Sequence, residues 1–275
     1  MRQCRTGLRG STEVRVIYGI NPVIEALASG EGIEKVVISS SRSDKPVNEI
    51  LNTARSRGIK VEVSPPDELT RLSGTDKHQG AVAFLKGAFR YREMEDLIAA
   101  WKKSGEEAFF LILDSIQDPQ NLGSLVRAAD AAGVHGIIIP KDRATEVTPV
   151  VAKASAGATE HALIAREVNI TRAIERLKGE NVWVAGIEAG RGDEIYRADL
   201  NRDLAIVVGS EGKGIRRLVL EACDFLVSIP MAGKISSLNA AQAGAIAMFE
   251  AKRQRLISVL SIASNRKKRG RALEP

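Results

Sequence analysis

LILDSIQDPQNLGSLVRAADAAG, residues 111–133, is the stretch on which the reading of this chain turns. An apolar run of strand character, 109–113, ends in an aspartate, and a polar turn then presents Gln117, Asp118, Pro119 and Asn121. A helix is expected over 121–132, with Arg127 on its second turn. An amide, a carboxylate and a guanidinium just past the C-terminal end of a strand build a polar site where open α/β sheets hold ligands. Arg127 lies six residues beyond Asn121, about one and two-thirds helical turns, so both are expected to reach that crevice. By itself the pattern admits a plainer reading, in which Asn121 caps the helix and Arg127 pairs with Asp130 on the surface.

Working outward, two later segments repeat the layout of a strand followed by a polar loop and a helix: LAIVVGSEGKGI (204–215) and FLVSIPMAGKISSLNAAQAGAIAMFE (225–250). The first has three glycines in the loop GSEGKG, which allow a close backbone approach to a ligand. It is not a phosphate loop, because Ile215 stands where a Walker motif needs Lys and Ser/Thr, and the Glu211 carboxylate would repel a phosphate. A glycine-rich loop bearing a carboxylate better suits a ligand with a cationic centre. In the second segment Pro230 and Gly233 force a loop after the strand. Ser236, Ser237 and Asn239 then offer hydroxyl and amide groups at a helix start, one of them as its cap, and Lys234 is read as solvated.

The same alternation of strand and helix fills the rest of the chain. Residues 13–87 read as a small α/β domain in which Asn21 caps a helix with Pro22 at its first position. A linker with a short helix is expected at 88–107, and a second α/β domain over 108–258. The charge is unevenly placed. The net charge is +6, yet the arm 1–12 carries +3 and residues 252–275 carry +7, which leaves −4 on the body. Basic ends (1–12 and 259–275) suit contact with a polyanion, although solvated tails have the same composition. Aromatic residues make up only 4%, which argues against base recognition on a stacking platform. Two cysteines far apart, Cys4 and Cys223, form neither a disulfide framework nor a metal site. With no membrane-length apolar run and no secretory signal, a cytoplasmic protein is expected.

Taken together and in order, the three segments resemble the motif set of the SpoU (TrmH-type) RNA 2′-O-ribose methyltransferases of the SPOUT superfamily. There the first motif holds Asn and Arg, the second reads G-S-E-G-x-G, and the third I-P-M-x-G-x-x-x-S-L-N. The N-terminal part, from VIYGINPVIEAL to KHQGAVAFL, resembles the L30-like RNA-binding domain of members that modify rRNA, so that the likeness spans residues 14–257. At one position the chain departs from the pattern: many members carry a second serine two residues past the Asn, where this sequence has Ala241 followed by Gln242.

The resemblance implies a parallel-sheet methyltransferase domain closed by a trefoil knot and a homodimer with the site at its interface. S-adenosylmethionine would bind at Gly209, Gly214, Ile229, Met231 and Leu238. Arg127, Asn121, Glu211, Ser237 and Asn239 would be the catalytic set, with no metal and no membrane involved. The implied substrate is RNA, most specifically a guanosine of 23S rRNA, with tRNA methylation and a non-catalytic RNA-binding relative as the alternatives. His78, in KHQG, is read as structural.

Overall fold

The computed structural model describes residues 14–30 and 32–271, with side chains through residue 260. The N-terminal arm, Cys4 and the last four residues lie outside them. The chain divides into two compact units, Met1–Arg90 and Tyr91–Pro275.

The first unit runs β1 (Val14–Tyr18), α1 (Ile20–Ser29), β2 (Ile33–Ser39), α2 (Lys45–Ser56), β3 (Lys60–Ser64), α3 (Pro66–Ser73) and β4 (Ala81–Lys86). Its sheet has the order β1-β4-β2-β3, with β4 antiparallel to both neighbours and β3 parallel to β2. Asn21 is not the cap of α1. The helix begins at Ile20, and Gly19 precedes it at φ 105° with no side-chain cap. The Ile20 amide is met instead by the Gln79 side chain, at 3.4 Å. An acceptor brought in by tertiary structure thus replaces a local one. His78 is buried, accepts the Gly80 amide at Nδ1 (3.0 Å) and bonds Thr70 Oγ1 through Nε2 (3.2 Å), a structural role.

The second unit contains α4 (Met94–Ser104), β5 (Phe109–Asp114), α5 (Pro119–Ala132), β6 (Gly136–Pro140), α6 (Pro149–Ala154), β7 (Ile164–Glu167), α7 (Ile170–Gly179), β8 (Trp183–Ile187), β9 (Asp193–Glu194), β10 (Leu204–Gly209), α8 (Arg217–Ala222), β11 (Phe225–Ser228) and α9 (Ala240–Arg271). Its seven strands form one sheet in the order β7-β6-β5-β10-β8-β11-β9, and every neighbouring pair is parallel. β5 and β10 lie side by side within it and are buried along their whole lengths, which explains their unbroken apolar sequences.

Residues 94–104, expected within a linker, are part of this unit's core. Met94, Leu97, Ile98 and Trp101 of α4 are buried against the sheet and α7, and a Cβ on Gly136 would collide with Leu97. The apolar face of a helix with a polar outer side was legible as a helix, but its partner surface was not. Cys223 is partly buried, and desolvation pushes its thiol up to about 12, so it is a poor nucleophile at neutral pH.

Candidate active site

The site stands at the C-terminal ends of β5, β10 and β11. α5 starts earlier than expected, at Pro119, because Asp118 is its cap: the Asp118 carboxylate accepts the Gln120 amide at 3.1 Å. Asn121 therefore lies inside the first turn with its side chain free of capping, and it is buried. Its Nδ2 donates to Glu211 Oε1 at 3.0 Å.

Glu211 is presented by the glycine loop. The Ser210 amide donates to the Gly214 carbonyl (3.1 Å) and the Gly214 amide to the Ser210 carbonyl (2.9 Å), closing the loop on itself. Gly209 is required where it stands, since a Cβ there would strike the Gly214 carbonyl carbon and the Ile215 nitrogen. Gly214 has φ 63°, and the Glu188 carboxylate packs against it.

Asn239 completes the cluster. Its Nδ2 donates to Asn121 Oδ1 at 2.9 Å and also to Glu211 Oε1, while its Oδ1 accepts the amides of Ala241 (2.9 Å) and Gln242 (3.3 Å). Of the three residues expected at this helix start, Asn239 is the cap. Ser236 and Ser237 are exposed and line the adjoining cavity. Ala241 is buried with its amide engaged by the cap. Gln242, considered as a substitute for the missing serine, is exposed and lines none of the cavities around the cluster.

Two cavities meet at Glu211. The first, about 210 Å³, is lined by Gly209, Glu211, Gly214, Ile229, Met231, Ser237 and Leu238, among others, so it gathers every expected cofactor residue and two of the expected catalytic ones, Glu211 and Ser237. Glu188, at the end of β8, also lines it and was missed by sequence reasoning. The strand-end rule that drew attention to Gly209 could have found it. The second cavity, about 480 Å³, is lined by Gln117, Asp118, Asn121, Arg143, Glu211, Lys213 and Arg216, with Ser115, Ile116 and Ser210.

Arg127 is the exception. It is exposed on α5, lines neither cavity, and has no hydrogen bond or ion pair among the described residues, Asp130 included. Helix geometry accounts for this: six residues rotate a side chain by about 240°, which turns Arg127 away from the face bearing Asn121.

Residues 108–249 match the SpoU rRNA Methylase family. The chain belongs to that family. Residues 16–91 match the RNA 2′-O ribose methyltransferase substrate-binding family. This SpoU chain is similar to YacO of Bacillus subtilis, named for the TrmH family of tRNA/rRNA methyltransferases, at 44% identity over 239 residues, covering 87% of this chain and 95% of YacO. Among solved structures it is similar to the SpoU methyltransferase AviRb of Streptomyces viridochromogenes in complex with AdoMet (25% identity, 88% of this chain and 91% of AviRb, TM-score 0.73). It is also similar to an AdoMet-bound rRNA methyltransferase of Sinorhizobium meliloti (26%, 87% of each chain, TM-score 0.70).

SpoU enzymes are RNA 2′-O-ribose methyltransferases and use S-adenosylmethionine. The first cavity fits that cofactor. Ile187, Ile229, Met231 and Leu238 offer apolar wall for an adenine, the glycine loop from Gly209 to Gly214 brings backbone to the cavity wall, and two carboxylates, Glu188 and Glu211, suit a ligand carrying cationic centres. Among the described residues no helix is long and apolar enough to cross a membrane.

Proposed function

We propose that this SpoU chain methylates the ribose 2′-hydroxyl of a guanosine in 23S rRNA. The observation that carries the placement of the reaction is the Asn121–Glu211–Asn239 cluster standing between the two cavities. Gly209, Gly214, Ile229, Met231 and Leu238 hold S-adenosylmethionine in the first cavity, and the target nucleotide enters the second. The cofactor supplies an electrophilic methyl group on sulfonium sulfur. For in-line attack the protein's main task is alignment. Asn121 and Asn239 fix the Glu211 carboxylate at the boundary, where it orients the ribose, and the Ser237 hydroxyl lies on the cofactor side of the same boundary.

A guanidinium keeps its proton across the working pH range, so Arg127 is an electrostatic anchor for the phosphate beside the target ribose rather than a base. Its own chain turns it away from the cluster, and we assign it to the site of a second copy in a homodimer. Two features support this: Arg127 is exposed and unpaired among the described residues, and α9, which packs on α5, exposes Phe249, Leu256 and Leu260. That spacing places the three apolar side chains on one face of the helix. We read β10 through the start of α9 as the knotted part of the fold, as family membership implies. The first unit and the basic ends add RNA surface, in line with the substrate-binding match over residues 16–91.

Transfer of labelled methyl from S-adenosylmethionine to unmodified 23S rRNA and to tRNA, with the product mapped by 2′-O-methyl-sensitive cleavage, tests the reading. One modified guanosine in 23S rRNA is the expected result. Labelling of tRNA alone would overturn the target, and labelling of neither, with the cofactor bound, would favour a non-catalytic RNA-binding relative.

A further inference from the structure

The second cavity does not end the cleft. It shares Arg143 and Arg216 with a third, of about 570 Å³, lined also by Val168, Asn169, Arg217 and Leu218. The first and second share Ser210, Glu211 and Lys213. The three cavities therefore adjoin in series, a channel that begins at the cofactor pocket, passes Glu211 and follows the C-terminal ends of β10, β5, β6 and β7.

Its charge is graded. The carboxylates lining the second cavity are engaged: Glu211 by the two asparagines and Asp118 by the first turn of α5. No carboxylate lines the third. Lys213 and Arg143 have no ion pair or hydrogen bond among the described residues, and Arg143 is held at φ 61°, in the left-handed region.

Arg216, at the junction, is fixed from beneath. Asp114, fully buried at the end of β5, accepts the Arg216 amide at Oδ2 (2.7 Å) and its Nε at Oδ1 (2.7 Å), with a guanidinium nitrogen 2.6 Å from the same oxygen. The guanidinium remains partly exposed, so Asp114 orients it without covering it. Beyond it Val168 and Leu218 are 77% and 61% exposed, an apolar surface next to cations.

We propose that the third cavity receives the nucleotide adjoining the methylated one, with the phosphodiester between them held by Arg143 and Arg216, and that Asp114 is the positioning residue for Arg216. A phosphate suits paired guanidinium groups, and the exposed aliphatic side chains suit the face of a base in a chain poor in aromatics. The inference rests on the methyltransferase reading above, which supplies the polarity of the channel.

The test uses the full chain, labelled S-adenosylmethionine and transcribed 23S rRNA. Arg143→Ala/Arg216→Ala should raise KM for RNA about tenfold, leave kcat within about threefold and leave cofactor binding unchanged. It should also make the salt dependence of log(kcat/KM) shallower by about 0.7, the contribution of one single-strand phosphate contact. Arg216→Lys should recover part of the KM. Asp114→Asn should raise KM about as much as Arg216→Ala, with no added effect when the two are combined. An additive effect would remove Asp114 from the positioning role. If the parent is active while the double arginine variant keeps its KM and salt slope, the channel assignment is wrong. If the parent transfers no methyl to any RNA, it is the underlying reading that fails.

Discussion

The side-chain amide of Asn239 donates to Asn121 across 118 positions of sequence, at 2.9 Å, while the carbonyl of the same amide caps the first turn of α9. Cap and site are separable by substitution. In Asn239→Ser a hydroxyl still caps the helix, so unfolding free energy should stay within about 1 kcal/mol of the parent. The bonds to Asn121 and Glu211 are lost, and methyl transfer should fall by about 10²-fold through misplacement of the carboxylate. Asn239→Ala should show the same loss of activity and a further destabilisation of about 1 kcal/mol. Parent-like activity in Asn239→Ser would take the amide out of the mechanism. Thermal melts and initial rates on the three proteins decide it.

Arg127 sits on the exposed side of α5, so Arg127→Ala should change stability by less than about 0.5 kcal/mol while abolishing methylation. A co-expressed mixture with Glu211→Ala tells where it acts. If Arg127 serves the other copy, each mixed dimer contains one intact site, and about a quarter of parental activity returns. If it serves its own chain, the mixture stays inactive.

How much of this was legible beforehand divides by range. The glycine loop, Pro230 and the Asn239 cap are local features, and sequence carried them well. The residues that line the first cavity came from the resemblance to the family, whose motifs lie just past strand ends marked by apolar runs. What sequence concealed was rotation and long-range contact. Asp118 rather than Asn121 caps α5, which frees Asn121 for Glu211, ninety residues away. The helical phase of Arg127 opposes its grouping with Asn121. The residues under α4 and the acceptor for Ile20 come from distant segments, and no local pattern announces them.

His135 makes stability depend on acidity. Its Nδ1 accepts the Phe109 amide at 3.1 Å and its Nε2 meets Ser104 Oγ at 3.1 Å, so the neutral ring protonated at Nε2 fits and a proton on Nδ1 would oppose a donor. Burial holds its pKa below the ordinary 6.5, outweighing the Glu106 carboxylate 3.8 Å away, which favours the charged form. A folded-state pKa below the unfolded one means that the unfolded chain takes up the proton first. The stabilisation is thus complete above about 6.5 and is lost as the pH falls below it. Urea midpoints should drop between pH 7.5 and 5.5, and less in His135→Gln. Equal drops in parent and variant would show that His135 is not the cause.

Cys223 should resist modification. Its thiol donates to the Val219 carbonyl at 3.3 Å, and burial pushes it up to about 12. In a Cys4→Ser background, a maleimide at pH 7.5 should label the protein only at the rate of unfolding, so labelling in urea should track the melting curve. Rapid labelling in buffer would mean that the α8 region opens locally.

The parallel sheet carries a consequence for how the protein comes into being. β5 pairs with β10, placing Phe109 beside Leu204, and the Asp114 carboxylate waits for Arg216, 102 residues later. Parallel neighbours cannot form by simple hairpins, and distant pairings are slow to close. During synthesis β5 and α5 emerge with a polar crevice whose other half has not yet been made. The Asn121–Glu211–Asn239 cluster is therefore a late product of folding, complete only once all three segments have been made and brought together.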